Sequence, residues 1–214
     1  MSGENGTGPG IRLLLFDVGG VVIDFDFMRA FTAWEPISRL SCDEILRTFS
    51  HDLAYEQHER GDISSAEYFT HLRETLQLQD DPVRIEAGWN AIFLGEISDT
   101  VAMIQAVREQ LPCYAFTNTN PAHHDTWSIM YPGVVSLFRE VFASHRCGFR
   151  KPESGVFDYV CRRLCVPPQA ILFFDDMIEN VEAARRSGLS AVHVRSPADV
   201  RHALLSLDCA LPLT

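Results

Sequence analysis

Short apolar runs alternate along this chain with longer segments in which apolar residues recur every three or four positions. The first run, Leu13–Phe16, is apolar throughout and is typical of a fully buried strand. Similar runs predict strands at 113–116, 140–143, 170–174 and 191–194. The segments between them predict helices over 99–110, from 127 onward, over 151–165, after 176 and near the C-terminus. This alternation predicts an α/β fold with a doubly wound parallel sheet and right-handed crossovers.

Residues 25–96 depart from the alternation, because their apolar residues follow the helical period and nothing in them alternates like a strand. Ser41 and Glu44 have the spacing of a helix-capping box. Gly61 is typical of a helix end, and Asp81-Pro82 is typical of a helix start. The segment is therefore predicted to be a helical insertion.

The length of 214 residues fits one large domain that carries a smaller insertion. The predicted boundaries are a polar, disordered tail at 1–10, a core formed by 11–24 and 97–214, and the helical insertion at 25–96. Lys and Arg number 18 against 29 Asp and Glu, which gives a net charge of −11 and disfavours nonspecific nucleic-acid binding.

The apolar runs are too short to span a membrane, and no leader sequence is recognisable. Six cysteines are scattered without a C-x-x-C pair. We therefore predict a cytoplasmic protein with reduced thiols and no membrane partner, whose oligomeric state stays open.

Polar residues suited to catalysis follow three of the predicted strands. Asp17 ends the first strand before Gly19-Gly20, Thr117-Asn118 end the second, and Asp175-Asp176 end the strand at 170–174. Lys151 stands between the last two groups, at a predicted helix start with Pro152 near its first position. Because the carboxyl ends of parallel strands share one edge of a sheet, we expect these side chains to converge.

Three carboxylates at one edge would repel and raise one another's pKa values. A hard divalent cation such as Mg²⁺ resolves that repulsion. Hydrogen bonds from Thr117 and Asn118 and the charge of Lys151 suit phosphoryl oxygens, and an Asp can act as the nucleophile of a phosphoryl transfer. The alternative is structural, with Lys151 a surface lysine that pairs with Glu153, and Thr117-Asn118 a helix cap.

These motifs, in this order and with a helical insert after the first, resemble the haloacid dehalogenase superfamily. The longer stretches resemble its bacterial α-D-glucose-1-phosphatase-like branch, over about residues 11 to 195; they are 16–24, 58–64, 117–120, 150–153 and 173–176. The resemblance implies a Rossmann-like core and a helical cap that closes over the site. It also implies a Mg²⁺-dependent phosphatase acting on a small phosphorylated metabolite, such as a sugar phosphate.

The same resemblance implies roles for the polar residues. Asp17 would be the nucleophile and a Mg²⁺ ligand, Gly19 would offer its backbone carbonyl, and Asp176 would be the second carboxylate on the metal. Asp175 would support the metal site or hold Lys151. The phosphoryl oxygens would be bound by Thr117 and Asn118, and Lys151 would steady both the nucleophile and the phosphate.

Two positions depart from the pattern of the superfamily. Gly19 stands where most of its phosphatases carry a second Asp, the general acid, and the candidates to replace that acid are Asp24, His123 and His124. Asn180 stands where many relatives have another Asp. The missing acid keeps a 2-haloacid dehalogenase as an alternative, and a binding module with a degenerate site as another.

The predicted cap holds candidates for contact with the leaving group, namely Trp34, His58 and Arg60. Arg60 precedes Gly61 in a predicted loop, where specificity is often set. Four further aromatic residues are predicted to form the core of the cap rather than a substrate platform; they are Phe27, Phe31, Trp89 and Phe93.

Overall fold

The computed structural model describes residues 10–212, so the predicted tail at 1–10 lies outside the described residues except for Gly10. The strands are β1 Leu13–Phe16, β2 Ile23–Phe25, β3 Phe93–Glu96, β4 Cys113–Thr117, β5 Val141–Ala143, β6 Ile171–Asp175 and β7 Ser190–His193. The helices are α1 Met28–Trp34, α2 Cys42–Thr48, α3 Leu53–Arg60, α4 Ser65–Thr75, α5 Pro82–Asn90, α6 Ser98–Val107, α7 Pro121–Met130, α8 Pro132–Val135, α9 Ser144–Cys147, α10 Val156–Leu164, α11 Ile178–Arg186 and α12 Pro197–Leu205.

Five parallel strands form the main sheet in the order β5-β4-β1-β6-β7. The chain therefore winds outward from β1 in one direction and then returns to wind outward in the other, which confirms the doubly wound α/β fold. The crevice of such a sheet lies beyond the carboxyl ends of its strands, where the order reverses. In this molecule that point lies at the end of β1, between β4 and β6.

Side chains of β1 alternate between the two faces of the sheet. Leu14 and Phe16 pack into one buried cluster with helices α6 and α12. Leu13 and Leu15 pack into another cluster on the opposite face with helices α10 and α11. Because both faces are covered, β1 is apolar throughout, as the sequence indicates.

A third buried cluster lies in the helical insert, which we define as residues 26–92. Trp34 and Trp89 stack at its centre with their rings 6.2 Å apart. The predicted helix signals are confirmed there, since Ser41 and Glu44 form a capping box and Gly61 ends α3 in the left-handed conformation. Asp81 caps α5 through its side chain. The insert therefore has a core of its own.

A two-stranded antiparallel ribbon, β2 and β3, joins the helical insert to the sheet. No strand is predicted within residues 25–96, and this expectation is wrong, because β3 lies there and β2 reaches Phe25. The predicted insertion boundaries, 25 and 96, fall within this ribbon. Strands of three and four residues, one of them containing Gly95, are too short for a period of two to stand out.

The segment around Lys151 also differs from its prediction. Helix α10 begins at Val156, after Gly155 in the left-handed conformation, and Lys151-Pro152 lies in the turn that precedes it. Pro152 therefore belongs to a loop instead of the first turn of a helix. Such a loop can turn the lysine back toward the sheet.

Within residues 10–212, no helix has both the length and the apolar character needed to cross a bilayer. All six cysteines lie in this range and all are free thiols.

The packing of the insert core predicts an opposite response to the same substitution at two glycines. A Cβ on Gly88 would overlap the indole of Trp34, whereas a Cβ on Gly133 of α8 would meet only Glu96 Oε1, at 3.8 Å. Gly88→Ala should lower the free energy of unfolding by about 1–3 kcal/mol through overpacking. Gly133→Ala should raise it by at most about 1 kcal/mol through helix propensity. Urea denaturation measures the free energy of unfolding of both variants. Equal changes in the two variants would contradict the close packing of Gly88 against Trp34.

Candidate active site

Asp17 ends β1 and turns its carboxylate into a cavity at the edge of the sheet. Its Oδ1 atom accepts a hydrogen bond from the Val18 N–H at 2.7 Å and lies 3.0 Å from Lys151 Nζ. Its Oδ2 atom has no hydrogen-bond partner among residues 10–212. One oxygen is thus fixed in place while the other stays open to a ligand.

The Lys151 side chain is fully buried, and each of its three ammonium protons has an acceptor. Its Nζ atom donates to Asp175 Oδ2 at 2.7 Å and to the Phe116 carbonyl at 2.9 Å, in addition to its contact with Asp17. Burial lowers the pKa of Lys151, but Asp17 and Asp175 outweigh that effect and raise it. The residue is therefore a buried cation, and the surface-lysine alternative is wrong.

Asn118 fixes the loop that carries Lys151. Its side-chain amide donates to the Lys151 carbonyl and accepts from the Lys151 N–H, both at 2.8 Å. These two bonds make the side chain of Asn118 position the lysine, while the second proton of its amide stays available at the cavity that Asn118 lines. Thr117 lines the cavity, and its hydroxyl makes only a 3.5 Å contact, with the Asn118 carbonyl. Of the two residues predicted to bind phosphoryl oxygens, Thr117 has the freer side chain.

The two carboxylates that follow β6 have different surroundings. Asp175 is fully buried, and its oxygens accept hydrogen bonds from Lys151, Asn180 and the Met177 N–H. The Asp176 carboxylate has no hydrogen-bonding side chain near it among the described residues, and it lines the cavity. It packs against Gly20, which adopts the left-handed conformation and whose Cβ would overlap this carboxylate. Asp175 therefore orients Lys151, while Asp176 is free to bind an ion.

The site fits a divalent cation. One carboxylate oxygen from each of Asp17, Asp175 and Asp176 lies within 4.8 Å of the others. Burial raises the pKa of Asp17, and although Lys151 opposes this shift, Asp175 and Asp176 add to it. Burial and the neighbouring Asp175 raise the pKa of Asp176 as well. A cation at this position would favour the ionised carboxylates, and open oxygens are ligands that Mg²⁺ prefers.

A cavity of about 440 Å³ lies between this edge of the sheet and the helical insert. Its charged end is formed by Asp17, Lys151 and Asp176, with Gly19 beside them. The insert and the β2–β3 ribbon contribute most of its remaining wall, through Phe25, Phe27, His51, Tyr55, Glu59, Ile92 and Phe93.

The structure brings none of the three predicted substrate contacts of the insert to this cavity. Arg60 does not line it, because its guanidinium binds Asp62 at 2.9 Å and Glu153 at 2.5 Å. Trp34 is buried and donates to the Ile85 carbonyl, and His58 is buried against Ser65.

Of the four aromatic residues predicted to form the insert core, two fulfil that prediction. Phe31 and Trp89 are buried in the core of the insert. Phe27 and Phe93 line the cavity, although each also packs against that core.

None of the three candidate acids is placed to donate a proton. Asp24 is exposed on β2 and His124 faces Trp127 and His145, and both lie outside the cavity lining. His123 lines the cavity, but its ring contacts the Asn120 amide at 3.1 Å and the Trp89 carbonyl at 2.9 Å. Burial lowers the pKa of His123 to about 4, so the ring is neutral and both nitrogens are occupied.

An ion pair joins the insert to the loop that carries Lys151, and no pattern in the sequence predicts it. Arg150 donates to Glu59 at 2.9 Å and contacts Glu56 at 3.2 Å, both on α3. Glu59 and Arg150 line the cavity beside Tyr55. A charge run such as His58–Arg60 gives no sign of which member faces inward, since that depends on how α3 docks.

Comparisons with known proteins agree with this geometry. D-ribitol-5-phosphate phosphatase of Bacteroides thetaiotaomicron is 23% identical over 199 residues, covering 91% of this chain and 97% of the relative. A sesquiterpene phosphatase of Aspergillus oryzae is 27% identical over 187 residues, covering 86% of this chain and 89% of the relative.

A related fold is known from a crystal structure that contains ligands. A haloacid dehalogenase family enzyme of Bacteroides thetaiotaomicron, in complex with magnesium and inorganic phosphate, superposes with a TM-score of 0.76 at 28% identity. The match covers 85% of this chain and 93% of that chain. The sequence model of the haloacid dehalogenase-like hydrolase family matches residues 11–188, from β1 through the end of α11. This chain belongs to the haloacid dehalogenase-like hydrolase family.

Proposed function

We propose that the protein is a Mg²⁺-dependent phosphomonoester hydrolase that acts through an aspartyl-phosphate at Asp17. The observation that carries the proposal is the Asp17 carboxylate, which has one oxygen fixed by Lys151 and the other without a partner among the described residues, in a cluster with Asp176. Phosphatases among the relatives, and the magnesium and phosphate bound in the related crystal structure, support it.

The proposed reaction has two displacements. The open Oδ2 atom of Asp17 attacks phosphorus, the bond from phosphorus to the ester oxygen breaks, and the leaving oxygen takes a proton from water. A water molecule then attacks phosphorus and gives up a proton to solvent, and the bond from phosphorus to Asp17 Oδ2 breaks, which releases inorganic phosphate and restores the carboxylate. Lys151 holds the nucleophile and offsets the negative charge of the phosphoryl group, and the Thr117 hydroxyl is placed to donate to its oxygens.

Asp17 and Asp176 are the proposed side-chain ligands of Mg²⁺, with the Gly19 carbonyl as a third protein ligand. When bound, the ion neutralises charge on the phosphoryl oxygens. Asp175 is assigned a positioning role instead of direct ligation, because its oxygens already accept hydrogen bonds from Lys151 and Asn180. Asn180 is therefore also assigned a positioning role, because its amide donates to the Asp175 carboxylate.

The alternatives differ in what they require of the site. A 2-haloacid dehalogenase has no need of a cation, so an open carboxylate such as Asp176 argues against it. A binding module has no need of a nucleophile with a buried lysine partner. Candidate substrates are glucose 1-phosphate, from the sequence resemblance, and ribitol 5-phosphate and sesquiterpene phosphates, from the relatives.

Hydrolysis of p-nitrophenyl phosphate tests the proposed chemistry, because p-nitrophenolate is a good leaving group that needs no proton donor. We expect turnover with Mg²⁺, none with excess chelator, and a loss of at least about 10³-fold in kcat for Asp17→Asn. Asp24→Asn removes an exposed carboxylate seven residues away and should keep the wild-type rate.

Failure of wild-type protein and Mg²⁺ to release p-nitrophenolate would overturn the proposal. Chloride release from 2-chloropropionate without added metal would then support the dehalogenase.

Thermal unfolding tests the metal site without reference to activity. At ten times its Kd, Mg²⁺ should add about 1.4 kcal/mol of stability. For a chain of this size, that corresponds to a rise in Tm of about 3–6 °C. Asp176→Asn should abolish this rise and should unfold no earlier than wild type without metal, because it removes a repelling charge.

Asp24→Asn serves again as the matched variant and should keep the full Mg²⁺-dependent rise in Tm. An equal rise in Asp176→Asn would show that this carboxylate does not hold the ion.

A further inference from the structure

Beyond its charged end, the cavity is walled mainly by apolar side chains. The apolar residues that line it are Val18, Ile23, Phe25, Phe27, Ile92, Phe93, Trp127 and Met177. They come from β1, the ribbon, the insert, α7 and the turn after β6, so every side of the cavity contributes. Its volume is in the range that takes a small organic molecule.

Two of these side chains are partly open to solvent. Phe25 is 37% exposed and Met177 is 52% exposed, and both face the cavity. Apolar surface that lines a cavity is available for contact with a ligand. Burying such a surface against an organic group removes it from water and favours binding.

Two of the polar groups that line the cavity away from its charged end, Glu59 and His123, are already paired. Glu59 binds Arg150, and His123 is held between Asn120 and Trp89. The His51 ring stacks on Tyr55 with centroids 4.1 Å apart. A polyhydroxylated substrate could not pair its hydroxyl groups with Glu59 or His123 without breaking these contacts, which costs free energy. A hydrocarbon has no such cost.

The ring of Phe25 lies beside the nucleophile. A Cβ placed on Gly19 would be 3.0 Å from Phe25 Cε1, so the ring occupies the space into which a side chain at position 19 would project. The first atoms of the organic group, next to the phosphoryl group, would thus meet an aromatic ring.

We propose that the substrate is a phosphate monoester whose organic group is an aliphatic hydrocarbon chain, bound against Phe25, Phe93 and Met177. This inference rests on the proposed phosphatase function and narrows its substrate class. The phosphoryl group of the substrate lies at Asp17 and Lys151, and its hydrocarbon chain extends along the apolar wall.

Competition against p-nitrophenyl phosphate hydrolysis tests the proposal with two probes, octyl phosphate and ribitol 5-phosphate. Both are primary alkyl phosphates, so they differ chiefly in the polarity of the organic group. The quantity measured is the competition constant, which is the inhibition constant of the probe against p-nitrophenyl phosphate, and it is defined whether or not the enzyme hydrolyses the probe. We expect octyl phosphate to compete at a concentration about 100-fold lower than ribitol 5-phosphate. Octyl glucoside, which has the chain without the phosphate, should not compete.

Two matched pairs of variants test where the hydrocarbon group of the substrate binds. Phe25→Gln should raise the competition constant of octyl phosphate about tenfold, whereas Leu94→Gln, on the same ribbon and outside the cavity lining, should leave it within about twofold. Met177→Gln and Ile178→Gln form the second pair, of which only Met177 lines the cavity. None of the four should change the constant of ribitol 5-phosphate by more than about twofold.

The outcomes separate this inference from the proposed function. If p-nitrophenyl phosphate is hydrolysed through Asp17 while ribitol 5-phosphate or glucose 1-phosphate competes as well as octyl phosphate, the hydrocarbon proposal fails and the phosphatase stands. Equal effects of both members of each variant pair would also overturn it. If no phosphate ester is hydrolysed, the proposed function fails and this inference fails with it.

Discussion

The buried Lys151 ammonium, set between Asp17 and Asp175, is the interaction on which the site depends. Two carboxylates brought to one sheet edge repel each other, and burial raises the cost of their charge. The lysine offsets both effects, but only if its own charge is fully satisfied, which the Phe116 carbonyl completes. Asn118 then fixes the loop through two hydrogen bonds to the Lys151 backbone. The ends of β1, β4 and β6 are thereby held in one arrangement.

The same loop links the site to the helical insert. Arg150, the neighbour of Lys151, pairs with Glu59 on α3, and a short distance along the loop Glu153 binds Arg60. On the other side of the cavity, the Trp89 carbonyl contacts His123 of α7. Because the insert is attached at these separated points, its apolar residues are held in the wall of the cavity that contains the Asp17 carboxylate. A shift of the loop would therefore disturb both the nucleophile and the wall that faces it.

Local signals were enough to predict the frame of the fold, but contacts between distant segments decided the rest. An uninterrupted apolar run that ends in a polar residue identifies β1 and β6, and the shared edge of a parallel sheet places Asp17 near Asp175. By contrast, Asn118 meets the Lys151 backbone across 33 residues, with no local pattern to indicate it. Arg60 lies one position beyond Glu59, and only the docking of α3 decides that Glu59 faces the cavity.

The charged end and the apolar wall support one another. Excluding water from the wall lowers the local dielectric, so the attraction between a phosphoryl group and Lys151 strengthens. The same exclusion requires that the organic group bring no unpaired polar atoms with it. Both requirements concern Gly19. The ring of Phe25 fills the space beside this glycine, where the carboxylate of an Asp would otherwise lie. An Asp at position 19 would require that ring to shift, so a general acid there and an apolar wall beside Asp17 compete for the same space.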